Sequence, residues 1–249
     1  MTKIILSGCM GRMGKAITEI VENIDNAQIV CGFDVAEGNR AYPVYKDYAD
    51  VLCDADVIID FSHPSNFENI LSYAKKNNLP LIMATTGLSP EQRAELSAAA
   101  SDIPVFFSAN MSLGINLLIK LAKDATKILE KDYDIEIIEK HHNKKLDAPS
   151  GTALAIADAI ADTMSYDANY VYERQSVRKQ RDKNDIGIHA VRGGTIVGEH
   201  EVIFAGTDEI ITLSHSAASR EVFAQGAVKA ALFMNGKPKG FYCMDDLFA

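Results

Sequence analysis

Long apolar runs are missing from this 249-residue chain, and none approaches the roughly 20 residues that a membrane-spanning helix needs. The apolar stretch at residues 4–6 is too short for the core of a secretory signal and ends before Gly8. The expectation is a soluble, cytoplasmic protein with no membrane partner. Cysteine is scarce. Cys9, Cys31, Cys53 and Cys243 form no C-x-x-C pair, so neither a zinc ribbon nor a redox dithiol is expected. Positive charge is also short. Lys and Arg number 25 against 34 Asp and Glu, a formal net charge of -9, which argues against general nucleic-acid binding. An anionic ligand must therefore be held by local basic groups or helix ends. The chain has no G-x-x-x-x-G-K-[ST], no H-E-x-x-H, no internal repeat and no low-complexity segment, so neither a P-loop phosphotransferase nor a zinc site is expected. What remains is ordinary globular composition, 47% hydrophobic and 24% charged, at a length for one large domain or two modest ones.

Apolar runs at residues 3–7, 28–34, 56–61, 79–84 and 104–107 read as strands, with helical periodicity at 12–23, 65–77 and 90–101 between them. Alternating strands and helices predict a Rossmann-like parallel sheet covered on both faces. The pattern changes after residue 111. A long amphipathic helix at 113–130, a strand at 133–140 and a helix at 152–164 precede strands at 186–191, 195–205 and 209–215. Ile196, Gly198, His200, Val202 and Phe204 alternate as in an antiparallel sheet with one covered face. A last helix covers 220–234. The fold class is α/β, with a dinucleotide-binding domain over 1–111. A second, α+β domain with a mixed or antiparallel sheet covers 112–220. The basic stretch Arg174, Arg178, Lys179, Arg181 and Lys183 reads as a solvated loop or, failing that, as a ligand or subunit contact.

Gly8, Cys9, Met10, Gly11, Arg12, Met13 and Gly14 follow a strand and open a helix. The spacing is G-x-x-G-x-x-G. Small residues there allow a tight turn and close approach of backbone to a pyrophosphate, and the helix start supplies unpaired N–H donors and a positive dipole end. Asp34 ends the next strand, where an acid bonds the adenosine ribose. A carboxylate there, followed by Val35 and not by Arg, favours NADH, while Arg12 leaves NADPH open. Ala84-Thr85-Thr86-Gly87 and Ser108-Ala109-Asn110-Met111 sit at carboxyl ends of strands, where open α/β sheets bind ligands. Each also reads as an ordinary turn.

The segment from Glu139 to Ala153 packs His141, His142, Lys140, Lys144 and Lys145 just ahead of a helix that starts near Ser150, Gly151 and Thr152. A lysine able to donate a proton, a histidine able to bind or relay one, and a helix start able to hold a carboxylate fit together here. The plainer reading is a solvated loop with Ser150 as N-cap. His63, His189, His200 and His215 are dispersed.

With its G-x-x-G-R-M-G turn and its H-H-x-x-K-x-D-A-P-S-G-T-A segment, the chain resembles the 4-hydroxy-tetrahydrodipicolinate reductase (dihydrodipicolinate reductase) family over its whole length. The resemblance takes in Ala84 to Gly87, Ser108 to Met111, Arg192-Gly193-Gly194 and Gly198-Glu199-His200. It implies NAD(P)H-dependent reduction of a cyclic dicarboxylate imine to tetrahydrodipicolinate, in lysine (diaminopimelate) biosynthesis. It implies His141 as proton donor or acceptor, Lys145 as proton donor, and His142, Gly151 and Thr152 as substrate-binding. Gly8 to Met13 would hold the pyrophosphate and Asp34 the ribose. Ala84, Thr85, Thr86, Ser108, Ala109, Asn110 and Met111 would line the nicotinamide side. The family also implies that 221–249 return to the first domain and that a homotetramer is built through the second sheets. Holding nicotinamide and substrate in register away from water fits a cleft between the domains that closes on binding, with hinges near 111 and 220. The sequence departs from the family at Ala84, Met111 and Val35. The last of these bears on a strong NADPH preference. The alternatives are a non-catalytic NADH-binding sensor, against which the dense His141–Thr152 cluster argues, and another dehydrogenase. Aldehyde chemistry would need a cysteine nucleophile in a suitable loop, which neither Cys9 nor Cys53 supplies.

Overall fold

In the computed structural model, which describes residues 1–51, 53–108 and 110–248, apolar strands and amphipathic helices alternate along the first half of the chain. They are β1 (Thr2–Ser7), α1 (Arg12–Val21), β2 (Ala27–Phe33), β3 (Val44–Tyr45), β4 (Val57–Asp60), α2 (Phe67–Asn77), β5 (Leu81–Met83), α3 (Pro90–Ala99) and β6 (Pro104–Phe107). Then follow α4 (Leu113–Leu129), β7 (Asp134–His141), α5 (Gly151–Ala161), β8 (Asn169–Val171), β9 (Asp185–Arg192), β10 (Gly198–Ala205), β11 (Ile210–Ala217), α6 (Glu221–Met234) and β12 (Gly240–Tyr242). Met1–Leu113 with Glu221–Ala249 form one unit and Gly114–Arg220 a second.

The first unit holds a seven-stranded sheet in the order β12-β6-β5-β4-β1-β2-β3, with every pairing parallel. Successive side chains of a strand point to opposite faces. Ile4, Leu6 and Ile59 accordingly join one core with α1 and α6, while Ile5, Ile58 and Leu81 join the other with α2 and α3. Burial on both faces is why these strands read as continuous apolar runs. The chain leaves β1 toward β2 on one side and reaches β4 on the other, so the strand order reverses at β1, the place where such sheets bind ligands. On α6, Gly226 has a specific reason to be glycine: a Cβ there would lie 1.7 Å from the Met111 carbonyl oxygen.

The second unit holds a five-stranded sheet in the order β11-β10-β7-β9-β8. Ile115, Leu118 and Ala122 of α4 and Ala153, Ile156, Ala157 and Ile160 of α5 pack on Ile135, Ile137, Ile188, Val202 and Phe204. The sheet is mixed. β10 pairs antiparallel with β7 and β11, but β9 runs parallel to both β7 and β8. The alternation of Ile196 to Phe204 pointed to antiparallel pairing, which β10 has, and the sheet as a whole is of the mixed kind expected. Ile186 and Ile188 alternate toward the helices in either direction, so the pattern reports the covered face and not the strand's sense. The basic stretch is exposed over 172–180, as a solvated loop is, but two of its arginines are bound. Arg174 binds Glu136 and Asp185, and Arg181 binds Glu136, Asp134 and the carbonyls of Ile135 and Asp185, which straps the segment to β7 and β9.

The close approach at Gly226 gives a direct prediction. Gly226→Ala must shift either α6 or the backbone at Met111, and should destabilise the protein by about 2–3 kcal/mol. An unchanged thermal midpoint would refute that packing role.

Candidate functional site

Two candidate sites emerge, one in each unit. In the first, Gly8 follows β1 with φ +79, a conformation that favours glycine, and a Cβ on it would lie 2.4 Å from the Phe61 carbonyl oxygen. A Cβ on Gly14 would lie 2.4 Å from the Gly8 carbonyl oxygen. The turn is thus pressed against the loop after β4 and against its own helix. Its amides are largely committed. Gly8 and Cys9 donate to the Phe33 carbonyl, Gly11 donates to the Gly8 carbonyl, and Met10 donates to Asp34 Oδ2 at 2.8 Å. A helix leaves its first-turn N–H groups without intrahelical partners. Gly11, the N-cap of α1, makes no side-chain cap and no acid sits in the first turn. Arg12 and Met13 therefore offer the donors for an anion.

A cavity of about 500 Å³ opens over this turn, lined among others by Gly8, Met10, Asp34, Val35, Lys46 and His63. Asp34 Oδ1 accepts from the Ala36 amide at 2.9 Å. The carboxylate is held in place from both oxygens and keeps further lone pairs for hydroxyl donors. A turn with glycine at its three tightest points, an uncapped helix start and a fixed carboxylate across one cavity fit a dinucleotide. Lys46, paired with Glu37 at 2.8 Å, and His63 were not singled out by the sequence. No local spacing ties either to the turn.

The side chains of several expected cofactor contacts are already in use. Cys9 and Met111 are buried in the core, and burial pushes the Cys9 thiol up to about 11. Both could reach a ligand only through backbone. Thr85 is buried and its hydroxyl donates to Asp60 Oδ2 at 2.6 Å, while Thr86 is exposed and Ala84 buried. Ser108 Oγ donates to the Asn110 carbonyl, and Asn110 Oδ1 accepts from the Ser112 amide. Ala109 lies outside the described residues. Asp60 itself is a buried acid that the sequence reading passed over. Burial pushes its carboxyl up, and hydroxyls of Ser62, Ser7 and Thr85 offset this only in part.

The second unit gathers the histidine–lysine segment around one carboxylate. Glu139 is fully buried on β7. Its Oε2 accepts from His141 Nδ1 at 2.6 Å and Arg192 Nη1 at 2.7 Å, and its Oε1 accepts from Arg192 Nη2 at 2.7 Å and the Ser150 amide at 2.9 Å. Burial alone would raise this carboxyl. The bonds from Arg192, His141 and Ser150 outweigh it and hold Glu139 below the ordinary carboxylate range. An ionised carboxylate only accepts, so His141 Nδ1 carries the hydrogen and Nε2 is the free ring nitrogen. Ser150 is the N-cap of α5, its Oγ accepting from the Ala153 amide at 3.1 Å. At Gly151 a Cβ would meet nothing within 4 Å, and Thr152 beside it is half-buried. This helix start has room for a carboxylate group. Lys145 Nζ binds Asp147 Oδ2 at 2.9 Å, and His142 Nδ1 is buried with no partner among the described residues.

β9 and β10 bring in residues that the resemblance took in but to which no role was given. Arg192 ends β9. His200 of β10 is buried, its Nε2 lies 3.1 Å from Ser150 Oγ, and its ring stands edge-on to that of His141 at 5.3 Å. His215 pairs with His200 across β11.

The comparisons with known proteins divide the chain near residue 112 and run the second part through α6 to residue 248, although α6 packs in the first unit. The description "Dihydrodipicolinate reductase, N-terminus" matches residues 2–111 and "Dihydrodipicolinate reductase, C-terminus" residues 114–248. The 4-hydroxy-tetrahydrodipicolinate reductase of Clostridium novyi is 52% identical over 248 residues, covering 99% of this chain and 98% of its own. That of Caldanaerobacter subterraneus subsp. tengcongensis is 52% identical over 247 residues, with the same coverage. Among solved structures, the dipicolinate-bound dihydrodipicolinate reductase of Paenisporosarcina sp. TG-14 superposes with a TM-score of 0.82 at 26% identity. It covers 98% of this chain and 97% of its own.

His200 gives the site a pH signature. Burial, then the neighbouring His141 ring, pushes its imidazole down to about 4 from the ordinary 6.5. Between those values the unfolded chain binds the extra proton, so stability rises with pH across the window and is lost as pH falls through it. The loss is about 3 kcal/mol at most. Thermal melts from about pH 7 to pH 4 should show that decline, and His200→Asn should flatten it. An equally steep decline in the variant would assign the effect to other groups.

Proposed function

We propose a division of labour among these residues from one premise: the chain belongs to the dihydrodipicolinate reductase family. Its reaction is the NAD(P)H-dependent reduction of 4-hydroxy-tetrahydrodipicolinate in lysine (diaminopimelate) biosynthesis, and the chain is an oxidoreductase. The substrate loses water and gains a hydride and a proton, giving tetrahydrodipicolinate. The reduced nicotinamide supplies the hydride when bound.

The observation that supports the assignment of roles is that one buried carboxylate, Glu139, binds both His141 and the first amide ahead of α5. A proton-handling imidazole and an anion-binding helix start are thereby held by the same atom pair. In this reading a substrate carboxylate rests at Gly151 and Thr152, against the α5 dipole. His142 binds the substrate. Lys145, kept next to Asp147, protonates the ring nitrogen, which draws electron density through the conjugated system from the carbon that has lost its hydroxyl and makes that carbon a better hydride acceptor. His141 donates or accepts a proton at Nε2, and Glu139 stabilises the imidazolium when it forms. In the first unit, Gly8, Cys9, Met10, Gly11, Arg12 and Met13 cradle the pyrophosphate and Asp34 takes the ribose. Ala84, Thr85, Thr86, Ser108, Ala109, Asn110 and Met111 line the nicotinamide side.

The Asp34 carboxylate and the absence of a cation at Val35 favour NADH, because a 2′-phosphate would meet a like charge. Lys46 on the same cavity keeps NADPH usable. The protein works in the cytoplasm and assembles as a homotetramer through its second sheets. The exposed Ile210 and Ile211 on the edge strand β11 support that assembly.

The test is the loss of reduced-nicotinamide absorbance when the substrate is made in place from pyruvate and aspartate semialdehyde by the preceding synthase. NADH and NADPH are run in parallel. Oxidation should depend on the synthase. Lys145→Ala should lower kcat about 100-fold with NADH binding retained. Undiminished turnover in that variant removes Lys145 from the mechanism. NADH bound but never consumed, in any protein preparation, would favour the sensor.

A further inference from the structure

Gly198 opens β10, buried and paired with Ala217 of β11. Its φ lies outside the left-handed region, so the backbone there suits any residue. Glycine inside a strand is unfavourable and usually marks a close approach by something else. Here the approaching group is His141. A Cβ on Gly198 would sit 3.2 Å from His141 Nε2, 3.6 Å from Cδ2 and 4.0 Å from Cε1. A methyl would therefore crowd Nε2 more than any other ring atom.

The imidazole has little freedom to retreat. Its Nδ1 is tied to Glu139 at 2.6 Å. Glu139 is itself fixed by both Arg192 nitrogens and the Ser150 amide. His200, two residues along β10 on the same face, stands edge-on to the ring at 5.3 Å. Glu139 thus fixes one end of the ring, His200 borders it, and position 198 determines what stands at the other end.

We propose that Gly198 is a positioning residue for the reduction: the missing side chain keeps His141 Nε2 open to a proton on the substrate. The role acts through His141 and rests on the reading of His141 as the proton-handling group. Gly198 touches neither substrate nor cofactor in this account.

A double-mutant cycle separates the two claims. Wild type, Gly198→Ala, His141→Ala and the double variant are assayed for kcat and KM with the substrate formed in place, alongside NADH affinity and the thermal midpoint. Gly198→Ala should lower kcat about 100-fold, with NADH affinity and the midpoint near wild type. In the His141→Ala background the same change should cost nothing further, because the ring it obstructs is gone. Wild-type kcat in Gly198→Ala overturns the proposal. So does an equal further loss in the double variant, which would mean that the methyl damages something other than His141. Wild-type kcat in His141→Ala would instead refute the role given to His141, and this proposal with it. If Gly198→Ala does not fold, the native enzyme decides through diethyl pyrocarbonate, an acylating probe of open imidazole nitrogens. Modification of His141 ahead of the buried His200 is expected, and an unreactive His141 overturns the proposal.

Discussion

A carboxylate removed from water is tolerable only when its lone pairs are met, and Glu139 has four donors on two oxygens. The arrangement works in both directions. Arg192 gives a two-pronged bond that makes burial of the charge acceptable, and the charge in return fixes three separate pieces of chain. It holds the guanidinium at the end of β9, the His141 ring at the end of β7 and the amide of Ser150 at the start of α5. Removing any one donor leaves a buried charge short of a partner, a loss of about 3–5 kcal/mol when the missing group is the arginine. Stability and chemistry are therefore hard to separate at this position.

The first unit uses the same principle on a smaller scale. Asp60 sits at the carboxyl end of β4 beside the point where the strand order reverses, and bonds Ser62 at 2.6 Å and Thr85 at 2.6 Å. It ties the loop after β4 to the loop after β5. Asp34 does the equivalent for the loop after β2, holding the Met10 amide of the glycine turn. In each unit, acids at or near strand ends tie loop segments together.

Much of this was legible in the sequence, and what was not had physical reasons. Strands buried on both faces, such as Val57–Asp60, are apolar runs and were plain. The two- and three-residue strands β3, β8 and β12 are too short to carry a period, and went unseen. His141, His142, Lys145, Gly151 and Thr152 lie within one short stretch of chain, so they stood out together as one candidate group. Arg192, Gly198 and His200 reach them only through the register of β9 and β10, which no local spacing encodes. Glu139 did leave a trace. Ile135 and Ile137 point to the covered face, and Glu139 follows on the same face two residues later. A charged residue in an apolar row of a strand needs a partner, and that was a reason to look for one. Asp60, closing the apolar run of β4, left the same trace.

The claim that a single buried carboxylate sets the state of His141 is tested most directly by Glu139→Gln. Glutamine keeps the shape but replaces one acceptor oxygen with a donor, so it can neither hold Nδ1–H as firmly nor stabilise an imidazolium. The measurement is kcat, taken together with NADH affinity and the thermal midpoint. A fall in kcat of about 100-fold in a protein that still folds and still binds NADH is the predicted result. A folded variant with wild-type kcat would contradict the account.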